Sequence, residues 1–227
     1  LLPYVCNYIT NVGVSEDKVI WIPNGINLSN YEFIKPYNGE IGEVFTVMYI
    51  GGHASYHGLE VILQSAKTFQ DEGKDFIKFV FIGDGPEKQN TIQFSKSLNL
   101  HNTEFRPLIP KKDVPLATEE GDIFIAIIKD LPVLKFGTNP TKLFDYFASG
   151  RPIIFAINAP NNPVAEANAG LTASPEDPNS IAKCIKKLIS LTPEDRAKMG
   201  RNGKEYLKKN YDIKLLTNKL EAALINN

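Results

Sequence analysis

From residue 44 to residue 190, short uninterrupted apolar runs alternate with longer stretches whose apolar residues recur at helical spacing. A strand that is apolar at every position is buried on both faces, and parallel strands need a crossover, usually a helix, between them. The pattern therefore predicts an α/β fold, a doubly wound, Rossmann-like parallel sheet with helices on both faces. The expected strands are residues 45–50, 76–82, 103–106, 123–128, 153–155 and 170–173. The expected helices are residues 59–70, 86–98, 111–120, 163–168, 178–190, 193–209 and 213–224. Ahead of residue 44 the pattern weakens. Residues 1–12 read as the end of a helix, 19–22 as a short strand, and 27–43 as a polar connector.

In such folds ligands sit at the carboxyl ends of the strands. The loops there are residues 51–58, 83–86, 107–110 and 129–140. Gly51 and Gly52 read either as a backbone that admits a phosphate or as a tight turn requiring positive φ. The loop is not a GxGxxG, because position 55 is Ser, and it lacks the Gly-Lys-Ser/Thr of a P-loop. His53 and His57 can donate to a phosphate or stand as solvated loop residues. The turn Gly83-Asp84-Gly85-Pro86 places Asp84 or Gly85 near the cap of the next helix. Arg106 either reaches a phosphate or pairs with Glu104 or Asp122.

Residues 136–154, FGTNPTKLFDYFASGRPII, form a loop, a helix and a strand. Asn139 suits the helix cap and Pro140 the first helical position, where no N–H is needed. Leu143, Phe144 and Phe147 make the apolar face, Gly150 ends the helix, and Pro152 forbids its restart. Thr141 and Lys142 fall in the first turn, whose open N–H groups and dipole attract an anion. Asp145 follows one turn later on the same side. A phosphate on the first turn and a sugar diol on the carboxylate suit this geometry. The alternative is an amphipathic helix with a solvated Lys–Asp pair.

The 227 residues are 43% hydrophobic and 22% charged, with a formal net charge of −1. The chain is thus globular, with no global attraction to nucleic acid. Its two cysteines, Cys6 and Cys184, read as buried free thiols of a reducing compartment. No Cys/His cluster suggests zinc, no Ser/His/Asp set stands out, and no apolar run reaches the roughly eighteen residues of a membrane span. The chain opens at Leu1 inside a helical pattern, without an initiating Met, and reads as part of something longer.

Four stretches together resemble a known family. Residues 18–27, KVIWIPNGIN, are similar to its K-x-x-V-I-P-N-G-V-D interdomain segment. Tyr49-Ile50-Gly51-Gly52, with His57-Gly58-Leu59 beyond, resembles its first strand and glycine-rich loop. Phe81-Ile82-Gly83-Asp84-Gly85-Pro86 is similar to its I-G-x-G-P turn, and residues 140–154 resemble its E-A-M-A-x-G-x-P-V-I block. By these residues the chain looks like the C-terminal, donor-binding half of a retaining glycosyltransferase of the two-domain GT-B fold, from the glycosyl transferases group 1 family. The P-x-K-L-F-D-Y form resembles a branch linked to bacterial surface polysaccharides.

The resemblance implies a nucleoside-diphosphate sugar as donor, a saccharide or lipid-linked acceptor, no nucleic-acid partner, and no cofactor or metal. Asp145 takes the place of the glutamate that holds the ribose, Thr141 and Lys142 face the diphosphate, and Leu108 lies in the base-contacting loop. The implied substrate-binding set is Gly51, Gly52, His57, Arg106, Leu108, Gly137, Thr138, Asn139, Thr141, Lys142 and Asp145, with no catalytic residue assigned. Gly137 stands where the family has a sugar-contacting glutamate, and Gly52 and His57 stand where it has an arginine and a lysine on the diphosphate. Lys142, Lys135 or Arg106 must then supply the charge. The implied organisation is a residual N-domain helix and interdomain segment (1–43), a donor-binding domain (44–212) and a helix returning to a missing N-terminal domain (213–227). A cytoplasmic location follows, peripheral at the inner membrane where the acceptor is lipid-linked. An epimerase or hydrolase of the same fold, or a non-catalytic binding module, are the alternatives.

Overall fold

The computed structural model describes residues 2–225. In chain order its elements are α1 (Cys6–Asn11), β1 (Phe45–Ile50), α2 (Leu59–Asp71), β2 (Ile77–Ile82), α3 (Lys88–Ser97), β3 (Thr103–Arg106) and α4 (Val114–Ala117). There follow β4 (Ile123–Ile127), α5 (Lys142–Ser149), β5 (Ile153–Ala156), α6 (Pro163–Glu166), β6 (Gly170–Ala173), α7 (Pro178–Ser190), α8 (Pro193–Tyr211) and α9 (Ile213–Ile225). The strands form one parallel sheet in the order β3-β2-β1-β4-β5-β6. This is the expected doubly wound, Rossmann-like architecture, and its strand order reverses between β1 and β4.

The apolar strands divide their side chains between two cores. Phe45, Val47 and Tyr49 of β1 pack with Leu63 of α2 and Ile185 of α7. Met48 and Ile50 point the other way, toward Phe144 and Phe147 of α5 and Leu207 of α8. Both faces of the inner strands are therefore covered, which is why β4 and β5 carry no polar residue, whereas the edge strand β3, TEFR, is mostly polar.

Three local expectations fail. Residues 19–22 form no strand; this stretch lies beyond the sheet, and the segment's ladder contact is a single bridge from Ile26 to Asp212. Residues 111–120 do not make one helix but two 3₁₀ turns flanking the four residues of α4. The helix after the Gly83-Asp84-Gly85-Pro86 turn starts later than expected, with Glu87 at its cap and Asp84 accepting from the Gly85 N–H instead.

The stretch read as a connector is docked rather than loose. Tyr31 and Ile34 are buried in the core. Arg196 of α8, itself buried, donates to the carbonyls of Gly39, Leu188, Ile189 and Leu191. Cys6 and Cys184 are free as expected, but half-buried rather than buried.

Helix α5 is held from two sides. Gly150 ends it at φ 71°, in the left-handed region. On its outer side α8 approaches so closely that a Cβ on Gly200 would sit 1.7 Å from the Gly150 carbonyl oxygen. A Gly200→Ala variant is therefore expected to lose about 2 kcal/mol or more, toward the upper end for an overpacked contact. Urea denaturation against a Gly42→Ala control, a site with no heavy atom within 4 Å, checks this.

Candidate functional site

A single hydroxyl fixes α5 against the carboxyl end of β1. The Tyr146 hydroxyl donates to the Ile50 carbonyl and accepts from the Ile50 N–H, both at 2.9 Å. Beyond Ile50 the chain enters the Gly51-Gly52 loop, which is laced to the loop after β2. The Gly51 N–H donates to the Ile82 carbonyl, His53 N–H to Asp84, and Glu87 N–H back to His53. The two loops cross so tightly that a Cβ on Gly83 would lie 1.9 Å from the Gly51 oxygen. Position 83 must be glycine for that close approach.

These loops, the first turn of α5 and residues 108–114 enclose a cleft of about 780 Å³. It lies at the topological switch of the sheet, where β1 and β4 diverge. Gly51, Gly52, His57, Leu108, Thr138, Asn139, Thr141, Lys142 and Asp145 of the sequence-derived set all line it. Arg106 and Gly137 do not.

Arg106 is turned away into ion pairs with Glu104, as one of its two readings held, and with Glu120 rather than Asp122. Gly137 has φ 84° and is covered by the amino-terminal segment, so a Cβ there would meet Pro3 Cγ at 2.6 Å and Asn161 Oδ1 at 2.8 Å. Neither the space nor the backbone admits a side chain at this position. Lys135 lies over the Phe136 ring, outside the cleft.

Asn139 does not cap the helix. α5 begins at Lys142, preceded by a helical Thr141 with no side-chain cap. The loop is braced instead through Thr138, whose N–H and carbonyl pair with the two ends of the Asn161 amide at 2.8 and 2.9 Å. Asn139 lines the cleft, and its Nδ2 is buried without a partner.

The Lys142–Asp145 pair of the alternative reading is absent. Asp145 is buried and accepts from Lys111 Nζ on both oxygens, at 2.5 and 2.6 Å, and from the Tyr31 hydroxyl at 2.5 Å. Lys142 donates to the Tyr49 hydroxyl at 2.7 Å, with Nζ 4.4 Å from that ring's centre. The Tyr49 hydroxyl in turn donates to the Gly52 carbonyl at 2.6 Å. Burial pushes the Lys142 pKa down to about 7.

Lys111, Tyr31 and Tyr49 were missed as site residues in the sequence. The signals for two of them are weak: Lys111 is the first of a Lys-Lys pair after the β3 loop, and Tyr49 is a polar-tipped residue inside an apolar strand. Nothing in the sequence marks Tyr31, which comes from a remote segment.

His57 is nearly buried and lies against the Tyr56 and Tyr49 rings; His53 is wholly buried with both nitrogens unpartnered. Burial first, then Lys142 for His57 and Lys88 for His53, lowers each pKa to about 4. Both imidazoles are therefore neutral at ordinary pH, and His57 brings no charge to the cleft. Among the described residues no cluster of His, Cys, Asp and Glu could hold a metal ion, and no helix is long and apolar enough to cross a membrane.

A parallel sheet in this order, with a cleft at its switch point, defines a Rossmann-like α/β domain of the kind found in GT-B glycosyltransferases. The sequence matches the glycosyl transferases group 1 family over residues 30–206, and the chain belongs to that family. No curated protein matches it individually.

Among solved structures it is similar to HepE from Anabaena in complex with UDP and glucose, at 13% identity and a TM-score of 0.78. That match covers 98% of this chain and 61% of HepE, so the chain spans about three fifths of that neighbour. A mutant of TarM from S. aureus, in complex with fondaparinux, α-GlcNAc-glycerol and UDP, matches at 13% identity and a TM-score of 0.76, over 96% of this chain and 41% of TarM. The C-terminal domain of the group 1 family protein LpcC from Francisella tularensis matches at 17% identity and a TM-score of 0.61, over 83% of this chain and all of that domain. At these identities the likeness establishes the fold.

The two neutral histidines set an acid limit on stability. In the unfolded chain they titrate near the ordinary value of 6.5; in the fold they resist protonation down to about 4. As pH falls through that window the unfolded state binds more protons, and stability drops. Urea denaturation at pH 7, 6 and 5 is expected to show this fall, and a His53→Leu, His57→Leu double variant a shallower one.

Proposed function

We propose that the chain is the donor-binding half of a retaining glycosyltransferase and that its cleft takes a nucleoside-diphosphate sugar. The observation that carries this is the cleft itself. It has a buried carboxylate, Asp145, on the wall that bears Lys142, and Lys142 stands beside a glycine pair at a strand's carboxyl end. A carboxylate suits a ribose diol, and a cation beside an open glycine backbone suits a diphosphate. The complexes of HepE with UDP and UDP-glucose, and of TarM with UDP, support the same ligand class here.

In this reading Gly51, Gly52, Thr141 and Lys142 meet the diphosphate, Asp145 the ribose, and Leu108 the base. Thr138 and Asn139 face the sugar end, and His57 offers a neutral hydrogen bond. The reaction is displacement at the sugar's anomeric carbon on the face the diphosphate leaves. The departing phosphate takes the acceptor hydroxyl's proton, and no enzyme nucleophile forms. The chain's own part is to hold and neutralise the leaving group in a preformed site. Neither a cofactor nor a metal is assigned.

The acceptor, a saccharide or lipid-linked sugar of bacterial surface polysaccharide synthesis, belongs to an N-terminal domain to which α9 returns. The location is cytoplasmic, peripheral at the inner membrane for a lipid-linked acceptor. One observation favours a second reading, a non-catalytic binding module of the same fold. Position 137 is closed to any side chain, and positions 52 and 57 carry no charge.

Calorimetric titration of the chain with UDP, GDP and ADP is expected to show weak binding of at least one, without transfer activity. No binding by any at millimolar concentration sinks the donor-site reading. Asp145→Ala is expected to weaken that binding by tenfold or more, since a charge-assisted hydrogen bond contributes about 1.5–3 kcal/mol. The corresponding 2′-deoxynucleotide should lose correspondingly less on the same substitution. Lys142→Ala and Asp145→Ala in the full-length protein separate the two readings, because a catalytic donor site loses transfer in both.

A further inference from the structure

Lys142 is an amine without an anion. Its ammonium lies between the Tyr49 ring and Gly51, where a Cβ on Gly51 would be 3.2 Å from Nζ. Among the described residues it pairs with no carboxylate; the Tyr49 hydroxyl is its hydrogen-bond partner. The charged and titratable groups around it offer no counter-charge.

From β1, Tyr49 is held un-ionised by its burial. From the loop after β1, His53 and His57 are neutral. From α3, Lys88 is a second cation, occupied on the Gly83 and Arg106 carbonyls. From the loop after β2, Asp84 accepts from the Gly85 N–H. From α5 itself, Tyr146 is un-ionised and Asp145 is already bridged by Lys111 and Tyr31.

Lys142 is half-buried with no carboxylate partner, so its ammonium gives up part of its hydration without a counter-charge, which favours the neutral amine relative to an ordinary lysine. The downward shift of this lysine to about 7 expresses that balance. An anion placed over Gly51 and Gly52 reverses it, since a nearby opposite charge favours the charged form.

We propose that Lys142 takes up a proton as the diphosphate enters the cleft, so that the ammonium anchored on Tyr49 forms together with its counter-ion. The proton comes from solvent and returns there when the anion leaves. This rests on the nucleotide-sugar reading above and adds to it a proton-linked step. The same device leaves Lys142 largely uncharged above pH 7 while the cleft is empty and supplies a cation on binding where positions 52 and 57 carry none.

Calorimetry with UDP in two buffers of different ionisation enthalpy counts the protons taken up. With a free-state value near 7, uptake at pH 8 is expected to be about 0.9 proton per UDP bound. Above pH 7 the terminal phosphate of UDP is already fully ionised, its second pKa being about 6. Affinity should therefore fall about tenfold from pH 8 to pH 9. Lys142→Met is expected to bind UDP at least tenfold more weakly, with no uptake and a flat pH dependence.

In the ligand-free chain the Lys142 side chain should titrate near 7 by NMR of ¹³C-labelled lysine, assigned by its loss in Lys142→Met. UDP binding with no buffer dependence, uptake that survives in Lys142→Met, or a free-state titration near the ordinary lysine value each overturns the proposal and leaves the nucleotide site standing. Absence of UDP, GDP and ADP binding overturns both.

Discussion

The site depends on one hydroxyl. Tyr146 both donates to and accepts from the backbone of Ile50, at the last residue of the central strand. That pair of hydrogen bonds fixes where α5 begins relative to the carboxyl end of β1. Lys142 and Asp145 lie four and one positions before Tyr146 on that helix, so their placement follows from it. The contact is wholly buried, and a buried hydroxyl with both partners in place is worth more than the same bond in water. Phe124 stacks on the Tyr146 ring at 4.5 Å and holds the hydroxyl in register.

With the helix fixed, the two charges on it meet opposite fates. Asp145 is saturated by a lysine and a tyrosine from distant parts of the chain, whereas Lys142 has only a phenol and an aromatic face. A cleft that neutralises its carboxylate and leaves its amine unpaired is electrostatically prepared for an anion. Lys111 is largely exposed but Asp145 is buried, so any group that displaces Lys111 must replace its hydrogen bonds to both carboxylate oxygens.

The sheet was legible because both of its faces are buried. The β1 sequence FTVMYI is apolar on both sides of the pleat, and that pattern belongs to a covered parallel strand. The end of α5 was legible too, since Gly150 in the left-handed region and Pro152 act through their own backbones. Its start was not. Asn139 and Pro140 carry the right chemistry for a cap, but Asn161 claims the loop by pairing with Thr138, a contact 23 residues away that no local rule sees. Similarly, Lys142 and Asp145 are neighbours at helical spacing, and only the tertiary fold supplies the better partners that separate them. Within the cleft, then, residue type and strand-end position were readable, while pairing was not.

The connector shows how far that limit reaches. By composition residues 27–43 read as a polar connector, rich in Asn, Tyr and Pro. Yet Tyr31 inserts beside Asp145, and Arg196 clamps Gly39 against the start of α8, where a Cβ on Gly39 would lie 1.8 Å from the Pro193 oxygen. Arg151, at the far end of α5, is buried beneath the Tyr37 ring and donates to the carbonyls of Gly121, Ser149 and Glu119. The segment therefore touches α5 through Asp145 at one end and reaches Arg151, just past its other end. A displacement of the connector shifts the helix that bears Lys142 and Asp145. The segment that precedes the sheet thus helps to shape the cleft, through packing and hydrogen bonds to the helix that lines it.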